Sequence, residues 1–392
     1  MLKKYSLIVP GWYPVVQLPV SGIFVFKHVQ LIAQFTQVEV LYAYIAPEGQ
    51  KQKFKTAVQS HPTFNETIIY YRESGNRIMN QLLQMYAFWK GFCIIKKKQG
   101  LPSVIHNHVV FPAGFFALFI SALYRIPLLI TEHWTGYSDD DGRYDKLSFV
   151  HRFIIRRAFE RAKGVSAISM FLKKILIEKE LVNEKKIIIT GNVLIPTSQL
   201  PEQKIKTNRP VKAICVANLD DNQKNISGLI DATAEAVKQF PTFCVTIVGN
   251  GPQREWLEQK ATELGLLNKN VVFTGNIPNA QVSEYCRMHD FFVLNSNFET
   301  FSIATAEAII NGLPVIVTKC GGPEEFVNET NGILVEKGNT WELTQAIKKM
   351  IDTFSTYDSK AISKNILTRY SNTEVRESMK ELYSLAGRNK NS

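Results

Sequence analysis

The order of apolar and polar positions predicts strands that alternate with helices along almost the whole chain. Residues 5–9 and 38–44 are short apolar runs typical of buried strands, and the amphipathic stretch 23–35 between them predicts a helix. This β-α-β order is typical of a parallel sheet covered by helices. The other strands expected in the first half are 67–71, 104–106, 128–131, 164–168 and 187–190, whereas the polar stretch 47–62 is expected to be a loop. One open parallel sheet accounts for all of these.

A polar stretch divides the chain in two. Residues 197–210 contain Pro201 and Pro210 and have no apolar period, which is typical of an interdomain linker. The alternation then restarts, with strands expected at 212–216, 244–248, 271–273, 291–294, 314–317 and 332–335. We therefore expect two doubly wound, Rossmann-like parallel-sheet domains, 1–196 and 210–371, and a terminal helix at about 372–392 that packs back on the first. Open α/β sheets bind ligands at the carboxyl ends of their strands, so the two domains are expected to face a central cleft.

Composition narrows the class of protein. The chain has 392 residues, of which 45% are hydrophobic and 21% charged, as in ordinary globular enzymes. Its five cysteines contain no C-x-x-C pair, which argues against a disulfide framework or a zinc site and favours a reducing compartment. The longest apolar run, 109–123, is interrupted by Pro112 and Gly114 and is too short to cross a bilayer. The expected location is therefore the cytoplasm.

The net charge of +11 is unevenly distributed. Residues 1–200 contain 25 basic and 13 acidic residues, or +12, and the remainder contains 21 basic and 22 acidic residues, or −1. Such asymmetry favours an anionic partner of the first half, although it also fits a basic, solvated surface. The helix expected at 146–163 carries arginines among Phe149 and Phe153, so it fits either a helix on anionic lipid or a core helix with a solvated basic face. Nucleic acid is not expected, because no basic run is interleaved with aromatic residues.

Candidate chemistry begins at a glycine loop in the second half. Gly249 and Gly251 lie between a strand and a helix, so backbone amides at the start of that helix could bind an anion. The loop is neither a dinucleotide fingerprint nor a P-loop, and taken alone it is better explained as an ordinary strand-to-helix turn.

Two glutamates form a more specific pattern. Glu299 follows a strand, and Glu307 comes eight residues later within the next helix, so both could accept hydrogen bonds from a polyhydroxylated ligand. Between them, the amides of Phe301, Ser302 and Ile303 form the positive end of the helix dipole, where a diphosphate could bind. The alternative is that both glutamates are ordinary helix charges. Lys224, after a different strand, could reach the same place.

Taken in order, these motifs resemble the retaining GT-B glycosyltransferases of family 4 over nearly the whole chain. That family has a lysine after the first strand of its second domain, a G-x-G-P loop, an E-x7-E motif, a G-x-P-V motif and a G-G pair. The first half agrees with the resemblance through a glycine loop, an H-x-H motif and a histidine that ends a strand. The matching residues here are Gly22, His106, His108, His133, Lys224, Gly249, Gly251, Glu299, Glu307, Gly312, Gly321 and Gly322.

The resemblance implies roles for these residues. Lys224, the amides near Ser302 and the Gly22 loop would neutralise the diphosphate of a nucleotide-sugar. Glu299 would hold hydroxyls of the donor sugar, Glu307 the ribose and the backbone of Ile277 the base, while His133 would contact the sugar near its reactive carbon. The implied catalytic residues are thus His133, Lys224 and Glu299, with no metal, cofactor or dedicated carboxylate base.

Two positions depart from the family pattern. Ser302 stands where glycine is common, which would narrow the space beside the diphosphate. Asn218 stands where many members have an arginine, which leaves more of the phosphate neutralisation to Lys224. We still expect Asn218 and Ser302 to lie in the donor site.

The resemblance thus implies a metal-independent, retaining glycosyltransferase of the EC 2.4 class. It would move a sugar from a UDP- or GDP-linked donor to a glycan or lipid-linked acceptor in cell-surface polysaccharide or glycolipid synthesis. The expected place is the cytoplasm, as a peripheral protein of the membrane surface. The alternatives are a nucleotide-sugar epimerase of the same architecture, for which no water-accessible carboxylate pair is identified, and a non-catalytic nucleotide-sugar-binding protein.

Overall fold

The computed structural model describes residues 5–194 and 201–387, which form two compact units. Unit 1 comprises the described residues of Met1–Tyr137, Gly142–Val193 and Val375–Ser392, and unit 2 those of Ser138–Asp141 and Leu194–Glu374. The expected end of the first domain, Pro196, and the first linker residues, 197–200, lie outside the described residues.

Unit 1 is built on an eight-stranded sheet with the order β3-β4-β2-β1-β5-β6-β7-β8. β1 lies in its middle, where Ile8 is in register with Val40 on one side and His106 on the other. All neighbouring strands are parallel except β3 and β4. The strands are β1 Tyr5–Pro10, β2 Gln37–Ile45, β3 Phe54–Ser60, β4 Asn65–Tyr71, β5 Val104–His108, β6 Leu128–Glu132, β7 Gly164–Ala167 and β8 Ile187–Ile189.

β3 corrects the sequence analysis, which treated residues 47–62 as a loop and the whole sheet as parallel. Phe54–Ser60 forms an edge strand antiparallel to β4, with Phe54 opposite Tyr71 and Ser60 opposite Asn65. None of its residues is buried. An edge strand pairs on one side only and tolerates polar residues, so its sequence lacks the apolar run that predicts an internal strand.

Six α-helices complete the described part of unit 1. Side chains of Asn76, Ser148 and Ser169 cap the N-termini of three of them by accepting backbone N–H bonds. Met379 and Leu382 of the terminal helix are fully buried in the same core cluster as Ile8. Within 5–194 and 201–387, no helix has both the length and the apolar character that a membrane crossing requires. The helices are α1 Ile23–Ile32, α2 Arg77–Gln99, α3 Gly114–Tyr124, α4 Phe149–Arg161, α5 Met170–Glu178 and, at the end of the chain, α13 Asn372–Gly387.

Unit 2 is built on a six-stranded, fully parallel sheet with the order β11-β10-β9-β12-β13-β14. Its strands are β9 Lys212–Val216, β10 Cys244–Val248, β11 Val271–Gly275, β12 Phe291–Leu294, β13 Val315–Thr318 and β14 Gly332–Val335. Its helices are α6 Asp221–Lys224, α7 Ile226–Val237, α8 Arg254–Glu263, α9 Asn279–Met288, α10 Ile303–Ile310, α11 Thr340–Thr353 and α12 Ser359–Tyr370. The sequence pattern also predicts a helix at 324–327, but the structure has a short 3-10 turn, Gly322–Glu325, at this place.

The strand order identifies where each sheet can bind a ligand. In unit 1, β2 to β4 lie on one side of β1 and β5 to β8 on the other, and in unit 2 the chain proceeds outward from β9 in one direction and from β12 in the other. At such a switch the loops after the two central strands diverge and leave a crevice at their carboxyl ends. The loops of interest are therefore those after β1 and β5, and those after β9 and β12.

Candidate active site

Lys224 and Glu299 meet at the switch point of the unit 2 sheet. Lys224 ends α6, which follows β9, and Glu299 lies in the loop after the neighbouring strand β12. The Lys224 ammonium donates to Glu299 Oε1, and the Ser296 hydroxyl donates to the same oxygen at 2.9 Å. The side chains are only 16% and 7% exposed. The ion pair therefore lies in a site largely shielded from water, where charges act strongly on a ligand.

Hydrogen bonds to backbone carbonyls hold the loops after β9 and β12 together. The Asn297 amide donates to the Gln223 carbonyl at 2.7 Å, and the Asn295 side chain donates to the Asn225 carbonyl at 2.8 Å. On the other side, the Glu299 amide donates to the Cys320 carbonyl at 2.8 Å. Glu299 is therefore fixed between the loops after β9 and β13, and its carboxylate has little freedom to leave the site.

The start of α10 provides the amides expected to face an anion. The ring of Phe301 is buried against Phe326 and Tyr370, with centroid distances of 5.3 and 5.0 Å, so Phe301 can offer a ligand only its backbone. Ile303 is the first residue of the helix and is half-buried.

Ser302 is the N-cap of α10 in the left-handed conformation, with φ 64° and ψ 83°. Its hydroxyl shares a hydrogen bond with the Thr305 hydroxyl at 2.8 Å and accepts from the Thr305 amide at 3.4 Å. A non-glycine residue in this region is strained, so the serine keeps a backbone shape that suits glycine while its side chain caps the helix.

Glu307 lies one turn into α10 and is half-buried. Burial, and then the charge of Glu307, raise the pKa of the Cys286 thiol to about 12, which places the carboxylate near α9. Ile277, in the loop after β11, is also half-buried. Both residues follow strands whose carboxyl ends lie on the same edge of the sheet as Lys224 and Glu299.

Close backbone packing explains why positions 249 and 251 are both glycine. A Cβ at Gly249, where φ is 137°, would lie 1.8 Å from the Ala217 carbonyl oxygen, and one at Gly251 would lie 2.6 Å from the backbone of Leu219. The Leu219 amide donates to the Asn250 carbonyl at 3.0 Å, so the loop lies directly against the end of β9. Asn218, beside it, is exposed. The glycines thus let two backbone segments approach, whether or not an anion binds.

In unit 1, Gly22 and His133 lie in loops at the carboxyl edge of the sheet. Gly22 is the N-cap of α1 with φ 65°, and a Cβ there would lie 2.5 Å from the backbone of Trp12. His133 directly follows β6 and is 4% exposed. Its ring lies 4.6 Å from that of Phe24, and its Nε2 is 3.5 Å from His108 Nδ1.

Glu132, the last residue of β6, is a buried residue that the sequence analysis did not single out for a role. Its carboxylate accepts hydrogen bonds from the Val110, His133 and Trp134 amides at 2.9–3.0 Å and from the Tyr137 hydroxyl at 3.1 Å. Burial raises the pKa of Glu132, and these donors oppose that shift. Four donors on one carboxylate hold the His133 backbone in place. The available signal was a charged residue at the end of an apolar strand.

His28, also not predicted, completes a buried trio with His108 and His133. Nitrogen atoms of the three rings lie within 4.8 Å of one another, and within the described residues this is the one histidine, cysteine or carboxylate group that could hold a metal ion. Burial lowers the pKa of all three, that of His28 to about 4, so the rings are neutral. The ring of His106 packs against that of His108, with 4.2 Å between centroids, but its nitrogens contact Thr131 and Tyr383 at 2.8 and 3.2 Å.

Two family models match the two halves of the chain. Residues 197–365 match the model described as glycosyl transferases group 1, and residues 30–193 match that of glycosyltransferase family 4. The chain belongs to glycosyltransferase family 4. The family predicted from the order of the motifs is therefore confirmed.

Solved structures show the fold of this family 4 chain. It superposes on sucrose-phosphate synthase from Thermosynechococcus elongatus with a TM-score of 0.73, at 18% identity over 97% of this chain and 98% of the other. It superposes on Anabaena HepE in complex with UDP-glucose with a TM-score of 0.70, at 18% identity over 97% and 99%. The expected GT-B fold is confirmed.

Among sequence relatives, the chain is 26% identical over 233 residues to alpha-monoglucosyldiacylglycerol synthase of Streptococcus pneumoniae. The match covers 56% of this chain and 52% of the relative. The chain thus spans about half the length of this relative.

Proposed function

We propose that this protein is a retaining, metal-independent glycosyltransferase that moves a sugar from a nucleoside diphosphate to a glycan or lipid-linked acceptor. The observation that supports it best is the shielded Lys224–Glu299 pair at the switch point of the unit 2 sheet, next to the start of α10. A cation, a row of helix amides and a carboxylate are the groups that a diphosphate and a sugar require. HepE, a structural neighbour, is described in complex with UDP-glucose, which favours a UDP-linked donor.

The residues of unit 2 can stabilise the leaving diphosphate. As the glycosidic bond loosens, negative charge develops on the β-phosphate, where the Lys224 ammonium and the amides of Ser302 and Ile303 would stabilise it. Glu299 would accept hydrogen bonds from sugar hydroxyls, and Glu307 from the ribose. We further propose that the backbones at Gly22, Gly249, Gly251, Asn218, Ile277 and Phe301 line the donor site, and that His133 contacts the sugar.

The same arrangement explains why no metal or cofactor is proposed. A divalent cation in such a site would neutralise the diphosphate, and Lys224 with the α10 dipole supplies that charge. Retention of configuration fits an attack by the acceptor hydroxyl on the face of the sugar from which the diphosphate leaves, with an oxygen of the leaving phosphate taking the proton of that hydroxyl. For that reason we assign no carboxylate as a base.

A ligand panel followed by product analysis tests the proposal. Thermal unfolding is measured with UDP-, GDP- and ADP-sugars and their free diphosphates, with and without Mg²⁺. A ligand at 100 times its dissociation constant adds about 2.7 kcal/mol of stability. We expect one nucleotide series to stabilise the protein without metal, and Lys224→Met to abolish the effect. Lys238→Met, which removes the cation of an exposed pair with Glu235, is the matched control.

The product of the stabilising donor then separates the alternatives. Transfer to a glycan or lipid acceptor, with the anomeric configuration kept in the NMR spectrum, supports the proposal. Interconversion of free nucleotide-sugars would instead indicate an epimerase, and binding without consumption under any acceptor would indicate a binding protein. No stabilisation by any nucleotide would overturn the assignment of the donor site.

We also propose that the protein works at the cytoplasmic face of a membrane, through the outer surface of unit 1. α2, α3 and α4 expose large apolar side chains there. Arginines and lysines accompany them, including Lys96, Lys97 and Lys98 at the end of α2. Apolar and basic groups on one surface favour anionic lipid. Co-sedimentation with vesicles that does not depend on anionic lipid would refute this. The exposed apolar side chains are Ile78, Met79, Leu82, Tyr86, Phe119, Leu123, Phe149, Val150 and Phe153.

A further inference from the structure

A cavity of about 970 Å³ opens at the amino edge of the unit 1 sheet. The carboxyl-terminal ends of α3 and α4 form its walls, and Leu128, the first residue of β6, lies at its base with Leu385 of α13. His133 follows the other end of β6, so the cavity and the histidine trio lie at opposite edges of the sheet. The cavity is therefore distinct from the loops considered so far.

The lining of this cavity is strongly basic. Arg125, Arg157, Arg161, Lys163 and Lys186 line it, with Glu160 as the acidic member. Arg157 pairs with Glu160 at 2.8 Å, so that one charge is balanced.

Two of the other cations contact neutral oxygens. Arg161 donates to the hydroxyl and the carbonyl of Ser121 at 2.8 and 2.6 Å, and Lys186 donates to the Glu160 carbonyl at 3.1 Å. These bonds hold the side chains in place without neutralising them. The lining therefore has a surplus of positive charge, which attracts an anion.

The cavity adjoins the exposed apolar surface of unit 1. The Arg157 guanidinium lies over the ring of Phe153, 5.3 Å from its centroid, and Phe153 stacks on Phe149. Phe149 and Phe153 are 75% and 48% exposed. One side of α4 thus leads from exposed aromatic rings to the basic cavity, which is the order of groups that a phospholipid presents from its chains to its headgroup.

We propose that this cavity binds a phosphate-bearing ligand, supplied by an anionic lipid headgroup or by a soluble phosphate ester. The guanidinium of Arg125 suits phosphate because the paired donors of a guanidinium match its oxygens, and Arg161, Lys163 and Lys186 add positive charge around it. The cavity lies wholly in unit 1, and binding there is separate from the transfer reaction. Its lipid form deepens the membrane association proposed above and rests on it.

Ala122 offers a test that removes no existing contact. It is an exposed helix residue that lines the cavity, so Ala122→Glu adds a negative charge there and Ala122→Gln is a control of the same size. A second comparison sets Arg125→Gln/Lys163→Gln against Lys51→Gln/Lys53→Gln, which removes two exposed lysines elsewhere in unit 1. The full chain is used throughout, and its thermal unfolding shows that each variant is folded.

Two binding measurements distinguish the sources of the phosphate. One is co-sedimentation with vesicles of phosphatidylcholine alone or of an equimolar mixture with phosphatidylglycerol, and the other is equilibrium dialysis with glycerol 3-phosphate. We expect Ala122→Glu to bind the mixed vesicles about fivefold more weakly than Ala122→Gln, and the loss of two cavity charges to weaken binding by roughly 30-fold. The control pair should change it by less than about twofold.

If the cavity variants weaken binding to the mixed vesicles but glycerol 3-phosphate does not bind, the ligand is a lipid headgroup. If glycerol 3-phosphate binds saturably and the cavity variants weaken that binding, the ligand is a soluble phosphate ester. Equal weakening by both double variants would mean that only the overall charge matters, which overturns the proposal, as does the absence of any cavity effect in both measurements. Nucleotide-sugar stabilisation, measured on the same variants, should be unchanged. If nucleotide-sugars do not stabilise even the unmodified protein, that result counts against the proposed function and not against the cavity.

Discussion

Neutralising Lys224 and Glu299, separately and together, separates a structural ion pair from a working site. The structure gives the magnitude for stability, because the two side chains are 16% and 7% exposed and share a direct charge contact. Removing one member of such a buried pair leaves the other charge uncompensated and lowers the free energy of unfolding by about 3–5 kcal/mol. Lys224 retains some exposure, so we expect about 3 kcal/mol for Lys224→Met and for Glu299→Gln.

The double variant should behave differently in the two assays. With both charges gone, no buried charge is left alone. The double variant should therefore lose about 3 kcal/mol less unfolding free energy than the sum of the two single losses. Turnover should not recover. If the proposed site is correct, each single change removes a contact to the diphosphate or the sugar and should lower kcat/KM by roughly 10²-fold or more, and the double variant should be at least as slow.

Urea unfolding and initial rates with the identified donor and acceptor measure both quantities. The exposed pair Lys238–Glu235, with side chains 69% and 54% exposed, provides a matched double-mutant cycle whose stability coupling should be below about 1 kcal/mol and whose rates should be normal. A Lys224→Met/Glu299→Gln variant that regained both stability and turnover would show that the pair is structural only. The site assignment would then fail.

Three further predictions concern strain, pH and metal. Ser302→Gly relieves a left-handed backbone and should be about 1–2 kcal/mol more stable to urea than Ser302→Ala, which keeps the strain and loses the cap; equal stabilities would contradict this. Burial lowers the pKa of His28 to about 4 and that of His106 to about 3. Between pH 7 and 5.5 these two histidines therefore take up protons only in the unfolded chain. The free energy of unfolding should fall by about 1 kcal/mol per histidine over this range. Urea titrations that give a flat profile, or the same fall after His106→Gln, would contradict it. EDTA should leave turnover unchanged; loss of activity that one divalent cation restores would assign a metal to the histidine trio.

The internal strands could be predicted from the sequence because most of their residues are buried and apolar. β10 and β12, for example, are short apolar runs closed by polar loop residues, and they were located within a residue of their bounds. β3 was missed because an edge strand needs no apolar run. α5 and α12 were not predicted either. α12, with Ile362 and Ile366 buried among exposed lysines, has too narrow an apolar face to stand out.

The candidate site shows a similar division. The positions of Lys224 and Glu299 after strands were clear from the sequence, but their contact depends on β9 and β12 being neighbours, which the order of residues along the chain does not specify. His28 and Glu132 were missed for a related reason. Their burial and partners come from long-range packing, such as the four donors that converge on Glu132.

The pairing of Lys224 with Glu299 bears directly on how a donor would bind. A buried ammonium without a partner is unfavourable, and Glu299 compensates it until a ligand arrives. A diphosphate carries more negative charge than one carboxylate, so it can replace Glu299 as the partner of Lys224. Ser296 and the loop hydrogen bonds would still hold the released carboxylate, ready to accept from neutral sugar hydroxyls.

A free nucleoside diphosphate satisfies only the first half of this exchange, because it leaves Glu299 without hydroxyl donors. The intact nucleotide-sugar should therefore lose more affinity than the free diphosphate does when Glu299 is replaced by glutamine, and both should lose affinity alike when Lys224 is replaced by methionine. Equal losses from Glu299→Gln for the two ligands would show that Glu299 does not hold the sugar.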